Sequence, residues 1–185
     1  MSMPVRIVIR RREQVENADE TILLQGRRFA GQYGLNAPRR ILHPFGAKPR
    51  FAEPGVFFSL SHSGNYWVCA LANAELGVDI QRFQPCRGDL IAGRFFHPDE
   101  VSWIKDRGEE GFFAVWTAKE SYVKFTGEGI TDDFAAFSVV NDEGKIDTCG
   151  HGVLRHIPFA ENYSLCLCTP EKAEVEIVGP ELSGE

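Results

Sequence analysis

No apolar run in the sequence is long enough to cross a membrane, and no signal-peptide pattern is present at its start. A membrane span needs roughly 18–20 consecutive apolar residues. Met1–Arg12 ends in three consecutive arginines, where a signal peptide needs an apolar stretch. These absences predict a cytoplasmic protein that does not associate with a membrane.

The sequence also has no Cys-x-x-Cys pair, and its 5 cysteines are odd in number, which argues against a disulfide framework or a zinc knuckle. Cys166 and Cys168 alternate in a run that predicts a strand, so both thiols should face one side and be buried. Arginines cluster at 10–12, 27–28 and 39–40 without any nucleic-acid-binding motif. We therefore expect no nucleic acid partner.

The 185 residues are 43% hydrophobic and include 14 Phe, which predicts a folded protein with a substantial core. Their net charge of −6 is unevenly divided. Residues 1–75 carry 10 basic and 6 acidic side chains, whereas residues 76–185 carry 10 basic and 20 acidic ones. A basic first half favours a polyanionic ligand, and an acidic second half favours a cation.

Hydrophobic periodicity divides the chain into two halves of similar order. It predicts a strand at 5–9, a helix at 19–33 and a loop at 36–55. The remaining predicted elements are strands at 56–60, 66–72 and 76–81, helices at 89–95, 98–105 and 110–126, and strands at 135–140, 152–158, 163–168 and 173–178. This order predicts an α+β fold of two similar lobes, 1–75 and 76–185, each a helix plus an antiparallel sheet, in a pseudo-twofold monomer.

The predicted helix at 110–126 carries two charged residues, Lys119 and Glu120, inside its apolar sector. One interpretation is an ordinary surface pair between Glu120 and Lys124, worth about 0.2–0.5 kcal/mol, with Lys119 reaching past its neighbours to water. The other is a buried carboxylate flanked by two ammonium groups, which suits a metal beside a phosphate.

The predicted strand at 76–81 places Asp79 and Gln81 on one face. These two side chains are either an exposed strand face or two oxygen ligands held rigidly for Mg²⁺, which prefers hard oxygen donors.

Polar residues also follow the preceding apolar strand. Ser61 and His62 form either a tight turn or a phosphate cradle. Adjacent strand residues point to opposite faces, which disfavours a Ser–His nucleophile. Lys48 is the single lysine of residues 1–75, and a solvated loop position alone would explain it.

Six segments occur in one order along the chain: Lys48-Pro49, Phe58–Gly64, Gly77–Gln81, Phe95–Glu100, Trp116–Lys124 and Gly127–Gly129. Together they resemble the 4′-phosphopantetheinyl transferases, and most closely the fused two-lobe type that activates surfactin synthetase. The resemblance runs from about Gly46 to about Thr169. It implies Mg²⁺-dependent or Mn²⁺-dependent transfer of the phosphopantetheine arm of coenzyme A to a serine of an acyl or peptidyl carrier protein, at the interface between the lobes. Adenosine 3′,5′-bisphosphate would be released.

The resemblance also implies roles for single residues. Asp79 and Glu120 match the magnesium carboxylates, and Glu120, directly or through a water, would take the proton of the incoming serine. Lys119 and Lys124 match lysines of the signature helix. The implied catalytic residues are Glu120, Lys124 and Asp79.

The implied contacts with coenzyme A are Lys48, Ser61, His62, Asp79, Lys119 and Lys124. The implied metal ligands are Asp79, Gln81 and Glu120. The family usually has Glu where this chain has Gln81, so the metal would face one negative charge fewer. About 60 residues precede the Ser61-His62 motif, which is short for the fused type, and the family's basic-aromatic segment before the first helix is reduced to Arg10–Glu13 without the aromatic residue. These differences leave open which arginines bind the 3′-phosphate of coenzyme A.

Two other functions fit the same residues. A non-catalytic module that binds coenzyme A or a carrier could retain this fold, and an Mg²⁺ phosphohydrolase could use the same carboxylates. The sequence leaves the carrier open among fatty acid, polyketide and nonribosomal peptide synthesis. An acidic carrier should dock near Arg82, Arg87 and Arg94 or on the first lobe, because the remaining surface of the second half is acidic.

Overall fold

A computed structural model describes residues 2–127 and 132–179. The helices are α1 (Ala18–Tyr33), α2 (Gly88–Phe95), α3 (Pro98–Lys105) and α4 (Gly108–Thr126). The strands are β1 (Met3–Arg11), β2 (Ile41–Leu42), β3 (Arg50–Phe51), β4 (Phe57–Ser63), β5 (Tyr66–Ala72), β6 (Gly77–Arg82), β7 (Thr148–Cys149), β8 (Gly152–His156), β9 (Tyr163–Thr169) and β10 (Ala173–Val178). Glu128 and Gly129, which belong to the last segment of the resemblance, lie outside these residues.

The strands form two larger sheets, with orders β10-β1-β5-β4 and β6-β9-β8-β7. Pairing is antiparallel except between β1 and β10, which run parallel. The predicted α+β class with largely antiparallel sheets is confirmed. β10 comes from the second half of the chain but extends the sheet of the first half, so strand pairing crosses the predicted lobe boundary. The division at residue 75 stays a prediction.

Local signals in the sequence explain where the helices begin and end. Asn17 caps α1 by accepting a hydrogen bond from Glu20 N at 3.2 Å, and Gly34 ends it with φ 65°. At the start of α3, Pro98 occupies the first turn while His97 and Glu100 form a capping box. Gly127 ends α4 with φ 76°.

The predicted strand at 135–140 is wrong. A 3-10 turn covers Asp132–Ala135, and the following residues join neither sheet. Buried charged side chains bind the backbone instead: Phe137 O accepts from Lys119 Nζ, and Val139 N donates to Glu100 Oε1. The Phe137 carbonyl and the Val139 amide therefore have buried side-chain partners in place of a neighbouring strand.

Helix α4 packs directly on β6, and Gly77 makes this approach possible. A Cβ atom at Gly77 would lie 1.9 Å from Ser121 O and 2.6 Å from Phe125 N. Only a residue without a side chain fits between the strand and the helix backbone. The close approach fixes α4 over the strand that carries Asp79.

Cys166 and Cys168 are buried in one apolar cluster with Phe125 and Leu154, as predicted. Within the ranges that the structure describes, no helix is long and apolar enough to span a bilayer.

Candidate active site

Asp79, in the middle of β6, is the centre of a buried polar site. Its Oδ1 atom accepts hydrogen bonds from Lys124 Nζ at 2.6 Å and from Ser61 Oγ at 2.7 Å. Three elements therefore converge on one carboxylate, because Ser61 lies on β4 and Lys124 on α4. The structure brings together three of the predicted site residues here.

Lys124 connects this carboxylate to the basic first half of the chain. Its Nζ also donates to Val78 O at 3.2 Å, and its backbone carbonyl accepts from Lys48 Nζ at 3.2 Å. Lys48 also pairs with Glu75, the last residue of the first half. The loop lysine is thus held at the end of α4 and beside the site rather than free in solvent.

Glu120 lies one helical turn before Lys124 and is 8% exposed. Among residues 2–127 and 132–179, no hydrogen bond or ion pair holds its carboxylate. Lys124 pairs with Asp79, so the interpretation of Glu120 and Lys124 as an ordinary surface pair does not describe this helix. A buried carboxylate without a described partner can accept a proton or a cation.

Burial raises the pKa of Glu120, and the neighbouring negative charge of Asp79 raises it further, while Lys124 lowers it. Burial also raises the pKa of Asp79, against the opposing effects of Lys124 and Ser61. The two carboxylates therefore lie close enough to repel each other. Like charges in a water-poor site favour binding of either a proton or a metal cation.

The donor set fits a hard divalent cation. Asp79 and Glu120 would supply two carboxylate oxygens, and Gln81 occupies the same face of β6 as Asp79. In the structure, Gln81 Nε2 donates to Arg82 O at 3.4 Å, which leaves its amide oxygen available. No group of three or more His, Cys, Asp and Glu side chains with metal-binding geometry occurs in the described ranges. Waters and substrate oxygens would have to complete the coordination.

His62 follows Ser61 on β4 and is exposed. A positive charge on its ring would lower the pKa of Asp79, which indicates that the imidazole lies near the site. The Ser61 hydroxyl bonds to Asp79 and not to His62 among the described contacts. This arrangement agrees with the expectation that Ser61 and His62 form no nucleophilic pair.

Lys119 lies apart from this group. Its ammonium is fully buried, pairs with Glu100 at 2.9 Å and donates to Phe137 O at 2.6 Å. The ring of Phe137 lies 3.9 Å from the same ammonium. Burial lowers the pKa of Lys119, while Glu100 raises it. The structure brings Lys119 together with Glu100 and not with Asp79.

The sequence did not predict Glu100 as the partner of Lys119 or Glu75 as the partner of Lys48. Glu100 follows His97 by three residues with Pro98 between them, a capping-box spacing that indicates the start of a helix but not a contact with Lys119. Nothing local indicates that Glu75 meets Lys48, because 27 residues separate them in the chain.

Known proteins match this chain over the same region. The family model described as "4′-phosphopantetheinyl transferase superfamily" matches residues 75–168. A 4′-phosphopantetheinyl transferase from Bacillus subtilis is 35% identical over 127 residues, which are 63% of this chain and 56% of that protein. The transferase psf-1 of Bacillus pumilus is 34% identical over 68% of this chain and 58% of its own length.

The transferase Sfp of Bacillus subtilis strain 168 is 30% identical over 77% of this chain and 57% of its own length. The chain therefore spans less than three fifths of the length of each of these relatives. The residues matched by the family model include Asp79, Gln81, Glu120 and Lys124.

Proposed function

Because the chain belongs to the 4′-phosphopantetheinyl transferase superfamily, whose model matches residues 75–168, we propose that it transfers phosphopantetheine from coenzyme A to a serine of an acyl or peptidyl carrier protein. The observation that carries this proposal is the group of Asp79, Glu120 and Lys124, in which the two carboxylates are buried and the ammonium is partly exposed. This group combines two carboxylates with one ammonium. Lys48 and His62, from the first half of the chain, lie beside it.

The proposed reaction is a displacement at phosphorus. The carrier serine oxygen forms a bond to the phosphorus on the pantetheine side of the pyrophosphate. The bridging P–O bond to the adenosine side breaks, and adenosine 3′,5′-bisphosphate leaves. The hydroxyl proton passes to Glu120, directly or through a water.

Charge on the phosphoryl oxygens must be balanced during this step. Lys124 is 28% exposed at its side chain and can reach a phosphate oxygen while keeping contact with Asp79. Mg²⁺ or Mn²⁺ held by Asp79, Glu120 and Gln81 would neutralise further charge and orient the pyrophosphate. Asp79 is fixed by two hydrogen bonds, so its position would not depend on the arrival of substrate.

The basic first half is proposed to hold the adenosine portion of coenzyme A. His62 is exposed beside Ser61, and Lys48 is partly exposed beside the end of α4. An incoming phosphate would compete with Glu75 for the Lys48 ammonium. The active site is therefore proposed to lie at the interface of the two proposed lobes of a pseudo-twofold monomer. Lys119 is too deeply buried in its pair with Glu100 to touch coenzyme A in this conformation.

The surface of α2 is proposed to receive the carrier. Leu90 is 64% exposed and Phe95 is 46% exposed, and the Arg94 guanidinium lies 5.1 Å from the Phe95 ring centre. Arg87 adds a second positive charge at the start of the helix. An apolar surface edged with arginines fits an acidic amphipathic helix. Arg94→Glu should raise KM for an acidic carrier and leave KM for coenzyme A unchanged, whereas an unchanged carrier KM would place docking elsewhere.

A second function is favoured by one residue, Gln81. If the missing charge abolishes productive metal binding, the chain would be a module that binds coenzyme A or a carrier without turnover. Calorimetry with coenzyme A and a mass assay on the carrier separate the two functions, because a module binds without modifying the carrier.

The experiment on the proposed catalytic group compares Glu120→Gln with Glu110→Gln on the same helix. Each variant is incubated with coenzyme A, Mg²⁺ and an apo carrier, and the carrier mass is followed with time. Glu120→Gln should abolish transfer while keeping the circular dichroism spectrum, and Glu110→Gln should be as active as the parent. A fully active Glu120→Gln variant would refute the assignment.

A further inference from the structure

Each of the two larger sheets has an edge strand that pairs on one side only, and these two edge strands lie side by side. β4 is the outer strand of the first sheet, and β6 is the outer strand of the second. A buried strand edge leaves backbone N–H groups that need acceptors. Since β4 and β6 belong to separate sheets, something other than a regular backbone ladder must satisfy those groups.

Three alternate serines of β4 provide these acceptors. The bonds run from Val78 N to Ser59 Oγ at 3.1 Å, from Ile80 N to Ser61 Oγ at 3.2 Å and from Arg82 N to Ser63 Oγ at 3.0 Å. Each donor follows its acceptor by 19 residues, so the strands run parallel in one register. We call the three serine hydroxyls and the amides they bind the serine ladder.

The middle serine of the ladder has a second contact. Ser61 Oγ donates to Asp79 Oδ1 at 2.7 Å while it accepts from Ile80 N. A hydroxyl group has one proton to donate and lone pairs to accept, so both bonds can exist together. The flanking amides of Val78 and Ile80 are both bound, which fixes the backbone on either side of Asp79.

We propose that the serine ladder is the joint between the two sheets, and that Ser61 is a positioning residue that sets the direction of the Asp79 carboxylate. The hydroxyl of Ser61 is then used inside the protein rather than on coenzyme A. The joint itself is independent of the proposed function, whereas the effect on metal dependence rests on it. Through this joint a strand of the basic half determines the geometry of the acidic site.

Amide hydrogen exchange of the full chain, measured residue by residue by NMR, tests the joint without any assay of activity. In Ser61→Ala, the Ile80 amide should exchange about tenfold faster, because it loses its buried hydrogen bond to the Ser61 hydroxyl. Ser61→Thr keeps a hydroxyl and should restore protection. Ser63→Ala is the matched control and should accelerate Arg82 but not Ile80.

The positioning role is tested by the Mg²⁺ dependence of carrier modification. Ser61→Ala should raise the half-saturating Mg²⁺ concentration several-fold and leave KM for coenzyme A unchanged, because a freely rotating carboxylate binds a cation less well. Ser61→Thr should recover the parental value, and Ser63→Ala should not change it.

Several results would overturn the proposal. Unchanged Ile80 exchange in Ser61→Ala would exclude the ladder, and a raised KM for coenzyme A with normal Mg²⁺ dependence would show that Ser61 contacts the substrate instead. If Ser61→Ala does not fold, two other measurements still test the ladder. The Arg82 amide should exchange faster in Ser63→Ala, and the Ile80 amide should stay protected in Ser61→Thr. If the parent protein transfers nothing, the proposed function fails while the exchange data still test the joint.

Discussion

At the scale of single residues, the main departure from the predicted site is Gln81, an amide at a position where the family resemblance implies a carboxylate. Gln81 shares a strand face with Asp79, and its own bond is a long one to Arg82 O at 3.4 Å. The site therefore contains two carboxylates with pKa values raised by burial, but not a third. A metal would rely more on substrate phosphates for its coordination.

Restoring the carboxylate should strengthen metal binding. Gln81→Glu adds a negative oxygen ligand beside Asp79, so we expect the half-saturating Mg²⁺ concentration for transfer to fall several-fold. The measurement is a titration of the carrier modification rate with Mg²⁺, with Glu143→Gln as a control at an exposed acidic position. An unchanged half-saturating concentration would count against a ligand role for residue 81.

Lys119 is a second residue whose position differs from the predicted one. The family resemblance implied that Lys119 contacts coenzyme A, and the helical pattern allowed either a side chain that reaches water or an ammonium beside the Glu120 carboxylate. The structure places it in a buried pair with Glu100, which also accepts bonds from His97 N and Val139 N. The ammonium therefore ties α4 to α3 and to the segment that follows α4.

At the scale of elements, α4 is held on two sides, and each contact can be tested. The buried pair is the first. Lys119→Met leaves the Glu100 carboxylate buried without its cation, which should lower the free energy of unfolding by about 3–5 kcal/mol. Denaturant unfolding measures this loss. The double variant Glu100→Gln/Lys119→Met should be less destabilised than the single one, and equal destabilisation would mean that the charge imbalance is not the cause.

The close approach at Gly77 is the second contact. Gly77→Ala places a Cβ atom 1.9 Å from Ser121 O, a backbone atom that cannot move independently. We expect a loss of about 3 kcal/mol in the free energy of unfolding. Gly31→Ala in α1 meets no atom within 4 Å and should instead stabilise by about 0.5–1 kcal/mol. A neutral Gly77→Ala would show that β6 and α4 do not touch as described.

The elements also show what the sequence can and cannot predict. Strand β5 and helix α3 have the predicted bounds, because turn residues and a proline delimit them. The segment at 135–140 has the β-branched and aromatic content of a strand, but bonds to Glu100 and Lys119 replace the sheet. A local pattern shows the propensity of a segment for a strand. It does not show that the carboxylate of Glu100, 39 residues away in the chain, binds the Val139 amide.

The candidate site was predictable to a similar extent. The family resemblance implied Asp79, Glu120 and Lys124 as one group, whereas their patterns alone also allowed an exposed strand face and a surface pair. The structure places these three residues together. The serine ladder could not be predicted, since alternate serines on a strand resemble an ordinary polar face. Its meaning depends on a second strand that approaches from another sheet.

At the scale of the whole molecule, the basic and acidic halves of the sequence are in contact at the candidate site. The basic first half meets the acidic second half where Lys48 approaches the end of α4 and Ser61 approaches Asp79. Strand β10 then returns to pair with β1, so the chain closes its first sheet with its last strand. The two halves are therefore joined by strand pairing as well as by the site between them.

This arrangement is what the proposed activity requires, since coenzyme A phosphates, a cation and a carrier serine must meet at one place. The central claim is the transfer itself. The direct measurement incubates the chain with coenzyme A, Mg²⁺ and a panel of apo acyl and peptidyl carriers, and records carrier mass together with free adenosine 3′,5′-bisphosphate. We predict that at least one carrier gains the mass of one phosphopantetheine group, with one nucleotide released for each group transferred. Unmodified carriers across the whole panel, while the chain still binds coenzyme A, would contradict the account.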